Sequence, residues 1–127
     1  MAGEVFELGT SVAALLRDGT SAVQASGGKP VRVDGFTVGA PVMTQNPPHR
    51  GEVHPDGDEL LYVISGRAEV VLDDGDQDTV GAETRTELVA GQAFLVPQGV
   101  WHRVDVKEPT HLVHITPGPG HGHRPLE

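Results

Sequence analysis

The stretch GEVHPDGDELLYVISG, residues 51–66, places acidic and imidazole side chains beside an apolar run. Glu52 and His54 are two residues apart, so on an extended chain both side chains leave the same face. The turn-forming sequence PDGD follows, and Glu59 then opens the apolar run. On two neighbouring strands these three side chains would converge. Two carboxylates buried together are costly unless a cation holds them, so the pattern predicts a bound cation.

Length and composition narrow the possible classes of protein. A chain of 127 residues has the size of one domain, and the lack of cysteine excludes disulfides, thiolate zinc sites and a cysteine nucleophile. The formal net charge of −9 argues against binding nucleic acid or an anionic membrane, so we expect a small molecule and a second copy as partners. The N-terminus lacks the basic, then apolar, pattern of a signal peptide. We therefore expect a cytoplasmic location.

Most of the chain consists of short apolar runs separated by turn signals, which predicts ten short strands in an all-β sandwich or barrel. One of these strands is expected at residues 31–33. Thr10 or Ser11 is expected to cap one short helix through residues 15–17. Residues 117–127 are rich in Gly, Pro and His, so we expect a flexible tail, in which Leu126-Glu127 is interpreted as a cloning remnant. No linker divides residues 1–127, so we expect a single domain.

A second stretch, GQAFLVPQGVWHRV at residues 91–104, repeats the combination of strand, turn and polar side chain. A short strand ends in the turn Pro97-Gln98-Gly99, and His102 stands just inside the next strand.

Together the two stretches resemble the two motifs of the cupin superfamily. The first motif, G(X)5HXH(X)3,4E(X)6G, matches at His54, Glu59 and Gly66, and Glu52 occupies the position of its first histidine. The second motif, G(X)5PXG(X)2H(X)3N, matches at residues 91–102, whereas a valine replaces its final asparagine. Both motifs occur in the expected order, so the chain is identified as a member of the superfamily.

The resemblance covers about residues 36–116 and implies a jelly-roll barrel with a metal site inside one end. It implies Fe, Mn, Ni, Zn or Cu as the divalent transition metal, and a homodimer. A metal-dependent dioxygenase, isomerase or lyase acting on a small oxygen-bearing molecule is the expected function. The alternative is a non-catalytic cupin that binds or senses a small molecule. The implied metal ligands are Glu52, His54, Glu59 and His102.

Glu52 has two interpretations. A glutamate oxygen reaches a metal about as well as an imidazole nitrogen does, which favours Glu52 as a fourth ligand. Alternatively, Glu52 turns aside and forms a hydrogen bond with Arg50 or Arg103, which leaves three ligands.

The remaining histidines are weaker candidates. His49 is an odd number of positions from His54, so on a regular strand it faces away. A bulge would reverse its direction, but a surface position is expected. His111 and His114 face opposite sides of one strand, so at most one of them faces the interior. His121 and His123 are expected in the solvated tail.

The apolar residues indicate a small cavity and an interface. We expect Met43 and either Phe36 or Phe94, with Val and Leu residues, to line the cavity, and Trp101 to point away from it into the core or an interface. The apolar residues 31–42 exceed what a small barrel needs inside. We therefore expect them to pack against a second copy and to bury about 1,200 Å² or more.

Overall fold

The computed structural model describes residues 3–27 and 30–126. These residues form twelve strands, and none of them lies in a helix. No helix within the described ranges is long and apolar enough to span a membrane. The strands are β1 (Ser11–Leu16), β2 (Ser21–Ala25), β3 (Gly35–Gly39), β4 (Val42–Met43), β5 (His49–Val53), β6 (Glu59–Ser65), β7 (Arg67–Asp73), β8 (Glu83–Val89), β9 (Ala93–Val96), β10 (Trp101–Val106), β11 (Thr110–Gly118) and β12 (Gly122–Pro125).

The strands form two antiparallel sheets. The larger sheet has the order β2-β1-β3-β11-β6-β9, with β4 paired to β11, and the smaller has the order β12-β5-β10-β7-β8. Among the described residues no ladder joins the two sheets, so the expected barrel is an open jelly roll and not a closed ring of hydrogen bonds. The all-β jelly-roll prediction is confirmed in this form.

Alternation along the strands builds the core between the sheets. On β6, Glu59, Leu61 and Val63 point inward and are buried, whereas the residues between them are half-buried or exposed. Burial of each valine or leucine side chain contributes about 1.5–3 kcal/mol before entropic costs. The central cluster consists of Leu61, Val63, Val70, Leu88, Val96 and Leu112, which come from both sheets.

Two predictions for the N-terminal part are wrong. The expected helix is the strand β1, in which Val12 and Ala14 alternate into the interior while β2 and β3 pair with its two edges. The hydrogen bonds of two ladders override the local helix propensity of alanine and leucine. Residues 31–33, expected as a strand, form an irregular segment, in which the Val31 carbonyl accepts a hydrogen bond from the Thr37 hydroxyl.

The expectation of a flexible tail is also wrong for the residues before the C-terminus. β11 continues to Gly118, and β12 pairs with the edge of β5. Arg124 is fully buried and forms a two-pronged ion pair with Asp73, at 2.8 and 2.9 Å. Its guanidinium carbon also lies 4.3 Å from the centre of the Trp101 ring. This long-range contact holds β12 in place, while Glu127 lies outside the described residues.

Candidate metal centre

Four residues, three on strands and one directly after a strand, converge at one end of the space between the sheets. Glu52 on β5 lies directly opposite His102 on β10, and His54 follows β5 immediately. Glu59 opens β6 in the other sheet. One ligand atom from each residue lies within 4.8 Å of those from the other three. The structure therefore brings together all four residues that the motifs nominated.

The distances within the cluster are those of groups arranged around a shared centre. Nε2 of His54 lies 3.5 Å from Glu52 Oε1 and 3.4 Å from Glu59 Oε2. Nε2 of His102 lies 3.1 Å from Glu59 Oε1 and 3.8 Å from Glu52 Oε1. Both ring nitrogens of His54 are buried and have no hydrogen-bond partner among the described residues. Such orphaned nitrogens next to two carboxylates suit a cation that is bound by all four groups.

The acidic and imidazole groups of the cluster shift one another's pKa values. Burial alone would lower the pKa of His54, but the Glu52 and Glu59 carboxylates overcome this and raise it to about 9. Burial would raise the pKa of Glu52, but His54 and His102 lower it to about 2. The imidazoles likewise hold the pKa of Glu59 well below its usual range. Both glutamates are therefore anionic at neutral pH, and the raised pKa of His54 means that its imidazole must lose a proton before it can bind a metal.

The orientation of His102 is fixed by the backbone. Its Nδ1 lies 3.0 Å from the carbonyl oxygen of Val100, so Nδ1 carries the proton and donates it there. Nε2, which lies 3.1 Å from Glu59 Oε1, is the ring nitrogen that faces the carboxylates and that a metal would use. A carbonyl that orients a ligand imidazole in this way is a common feature of metal sites.

The alternative partners proposed for Glu52 are engaged elsewhere. Arg50 donates from Nε to the carbonyl oxygen of Pro125 at 2.9 Å. Arg103 donates to Asp105 and, at 2.7 Å, to Glu83. Glu52 instead faces the two histidines of the cluster.

His49 is not the outward-facing surface residue that was expected. Its Nε2 lies 4.0 Å from Glu52 Oε2, and it lines the same cavity as the cluster. The reason is a bulge in β5, where residues 49–52 lie opposite the shorter segment 123–125 of β12. Gly51 makes the bulge possible because its φ of 134° is a value that side chains disfavour. The extra residue reverses the side to which His49 points.

Glu59 is oriented by two residues of β11. The Thr116 hydroxyl donates to Glu59 Oε2 at 2.5 Å, and His114 Nδ1 lies 2.8 Å from the same hydroxyl oxygen. Because a hydroxyl has one hydrogen, His114 Nδ1 must donate to Thr116. Burial lowers the pKa of His114, which favours its neutral form. Sequence reasoning missed Thr116, although its two-residue spacing from His114 signals a shared face.

A cavity of about 160 Å³ adjoins the cluster. Its apolar wall includes Met43 and Leu61, as the composition predicted. Phe36, by contrast, is 46% exposed on the outer side, and Phe94 packs against the core cluster. Trp101 is buried and does not line this cavity, in agreement with its predicted direction. The full lining is Arg32, Pro41, Met43, Pro47, His49, Glu52, Glu59, Leu61, His102, Arg103, Val104, Leu112 and His114.

An outer hollow of about 610 Å³ shares Pro47, His49 and Glu52 with this cavity. His121, which was expected in a solvated tail, is half-buried here, and its ring centre lies 6.0 Å from that of His54. The pairing of β12 with β5 brings it there. His123 lines the same hollow and is exposed, as expected for it.

Sequence comparison identifies the fold family. The cupin domain model matches residues 41–116, which is more than half of the chain. The chain belongs to the cupin family. The match begins near the start of the predicted motif-bearing region and ends at the same residue, 116. The comparison of this cupin with curated proteins found no match.

Solved structures similar to this cupin include two enzymes. Hydroquinone 1,2-dioxygenase, in complex with Cd²⁺ and 4-hydroxybenzonitrile, is 19% identical in sequence to this chain, with a TM-score of 0.56. The match covers 67% of this chain and 59% of the dioxygenase chain. Oxalate oxidase is 21% identical with a TM-score of 0.53, covering 69% of this chain and 45% of the other. The cupin thus spans less than two thirds of either chain. A protein from Bacillus halodurans is 24% identical with a TM-score of 0.56, covering 91% of this chain and 76% of the other. These similarities establish the fold.

Proposed function

We propose that this cupin is a metal-dependent enzyme that holds one divalent transition metal through Glu52, His54, Glu59 and His102. The observation that carries the proposal is the buried cluster, in which both nitrogens of His54 have no other partner among the described residues. We propose a dioxygenase, isomerase or lyase that acts on a small oxygen-bearing organic molecule.

The charges and donor atoms of the proposed ligands narrow the range of metal ions that fit the site. Two carboxylates and two neutral imidazoles suit iron, manganese, nickel, copper or zinc, and they cancel the charge of a divalent ion. When bound, such an ion supplies Lewis acidity, and a redox-active one also supplies reactivity toward dioxygen. A neutral centre of this kind is a weaker Lewis acid than one with three neutral ligands and one carboxylate.

The residues around the ligands have separate roles in the proposal. Thr116 orients the carboxylate of Glu59, and the Val100 carbonyl fixes the tautomer of His102. Leu61 and Leu112 form part of an apolar wall, which limits the amount of water beside the centre. At about 160 Å³ the cavity is smaller than the pockets that hold drug-sized ligands, so the substrate is expected to be small.

Two similar structures support an oxidative reaction as the first activity to test. One is described as a hydroquinone dioxygenase and the other as an oxalate oxidase. Their identities of 19% and 21% establish only the shared fold. Their reactions are therefore starting points for a screen and not assignments.

The test begins with elemental analysis of the purified protein and continues with oxygen-uptake assays on a panel of small hydroxylated and carboxylated compounds. We expect about one metal ion per chain. We also expect either oxygen consumption or product formation without oxygen, and whichever activity is found should disappear when the metal is removed by a chelator. Stoichiometric metal with saturable ligand binding but no turnover would favour a binding or sensing cupin. A protein that takes up no transition metal would refute the proposed centre.

We also propose a homodimer formed through the outer face of the larger sheet, to which Phe36 and Val42 of the expected segment 31–42 contribute. Residues paired on neighbouring strands point to the same side of a sheet, and the pairs Leu15–Phe36 and Leu60–Leu95 place apolar side chains outward. Monomers rarely expose a continuous apolar face of this kind. The most exposed apolar residues of this sheet are Leu15, Phe36, Val42, Tyr62, Ile64 and Leu95, at 47%, 46%, 61%, 38%, 43% and 63%. The cytoplasmic location stays a prediction.

A further inference from the structure

Arg32 is a charged residue of the cavity whose role the proposed metal centre does not explain. It lies in the irregular segment before β3 and lines the cavity together with Glu52, Glu59 and His102. Arg103 is the other arginine in the lining, and it is already paired with Asp105 and Glu83. Arg32 has no ion pair with any of the residues that the structure describes.

One edge of the Arg32 guanidinium lacks a partner. Nη1 donates to the carbonyl oxygen of Val31 at 2.8 Å. Nε is buried and has no partner within the described ranges. The Nε and Nη2 hydrogens of an arginine are parallel and match the two oxygens of a carboxylate. A buried donor without a partner costs about 1–3 kcal/mol, which a ligand that accepts this hydrogen bond would recover.

The charge of the metal centre explains why a separate cation would be needed for an anionic ligand. Glu52 and Glu59 together cancel the charge of a divalent metal, so the loaded centre offers no net attraction to an anion. The chain as a whole has a formal net charge of −9, which repels anions further. Arg32 is the lining residue that combines a positive charge with donors left free.

Resting on the proposed metal centre, we infer that Arg32 is the substrate-recognition residue of this site and that the substrate is a small carboxylate. The carboxylate is held by the Nε and Nη2 edge of Arg32, and the remainder of the molecule extends toward the four ligand residues. The inner cavity of about 160 Å³ has room for a small carboxylate, and a longer chain would have to extend into the outer hollow.

The test compares two probes of the same shape and different charge, L-lactate and L-lactamide. Wild type, Arg32→Gln, Arg32→Lys and Arg67→Gln are loaded with Zn²⁺, and the stoichiometry is measured first by competition with a fluorescent chelator. Arg67 is half exposed on the opposite sheet and is not part of the cavity lining, so its variant controls for net charge. Each loaded protein is then titrated with both probes by calorimetry.

We expect wild type and Arg67→Gln to bind lactate more tightly than lactamide. Arg32→Gln should weaken lactate binding by about 10- to 100-fold while lactamide binding and Zn²⁺ stoichiometry stay unchanged. Arg32→Lys should fall between them, because lysine keeps the charge and lacks the two parallel donors. Equal lactate affinity in wild type and Arg32→Gln, or no lactate binding by loaded wild type, would overturn this inference and leave the metal centre standing. A wild type that takes up no Zn²⁺ would overturn both.

Discussion

The ion pair between Arg124 and Asp73 gives the sharpest test of how the C-terminal strand is held. All five N–H groups of Arg124 are used: two bind the carboxylate of Asp73, and the others bind the carbonyl oxygens of Asp76, Thr79 and Arg50 at 2.7, 3.2 and 3.1 Å. The Asp73 side chain is only 1% exposed. Replacing Arg124 with methionine would therefore leave a buried carboxylate without its counter-ion.

The expected cost of Arg124→Met is about 3–5 kcal/mol in the free energy of unfolding, which lowers the Tm by roughly 10–20 °C. Asp73→Asn in the same protein should recover part of this loss, because the uncompensated charge is removed while an acceptor for Gly75 and Gly81 remains. Arg67→Met, which removes an exposed ion pair at 3.7 Å, is the control and should change stability by less than about 1 kcal/mol.

Urea unfolding followed by tryptophan fluorescence measures these differences, since the chain has a single tryptophan and Arg124 lies against it. A cost for Arg124→Met of less than about 1 kcal/mol, or no recovery in the double variant, would refute the view that this pair anchors β12.

The same pair predicts how stability depends on pH. Burial would raise the pKa of Asp73, but Arg124 and the amides of Gly75 and Gly81 lower it from 3.8 to about 2. A lowered pKa stabilises the protein above pH 4, and the stabilisation is lost as pH falls toward 2. Between pH 5 and pH 3 this one group should cost wild type about 1 kcal/mol. The loss should be smaller in Arg124→Met, and equal acid sensitivity of both proteins would contradict the assignment.

Three further predictions concern the metal centre and assembly. Glu59→Ala and His102→Ala should each abolish stoichiometric metal binding, while circular dichroism shows that both variants are folded. Glu87→Ala, an exposed control on β8, should bind the metal normally. Full metal occupancy in both site variants would exclude the centre. Glu52→Gln should weaken metal affinity by about 10-fold or more, equal to about 1.4 kcal/mol, whereas Glu52→His should retain strong binding. Identical binding isotherms for manganese, nickel and zinc in wild type and both variants would remove Glu52 from the ligand set. Light scattering at micromolar concentration should give a dimer for wild type and a monomer for Tyr62→Glu, and a monomeric wild type would contradict the proposed interface.

The sequence was most informative where function depends on short-range spacing. Glu52 and His54 share a face because they are two residues apart, and the turn before Glu59 returns the chain toward them. His102 lies at a fixed distance from the turn that precedes β10. The motif resemblance added His102, and the structure brings all four residues together, since strand alternation and turn geometry are local properties.

Features that depend on distant parts of the chain could not be predicted in this way. The direction of His49 is set by a bulge whose partner, β12, lies about 75 positions along the chain. The contact between Thr116 and Glu59 spans 57 positions. The order of the C-terminal residues depends on Arg124 reaching Asp73 across 51 positions, which outweighs a local composition typical of mobile tails.

The pairing of the strands determines when the centre can assemble during protein synthesis. β5, which carries Glu52, pairs with β10 and β12, and β6, which carries Glu59, pairs with β9 and β11. Every partner of these two strands is therefore made after them. A ribosome releases both glutamate strands with their edges open, and they must wait for more than thirty further residues before the first partner strand is complete. The four residues of the cluster can therefore come together only after β10 has been made.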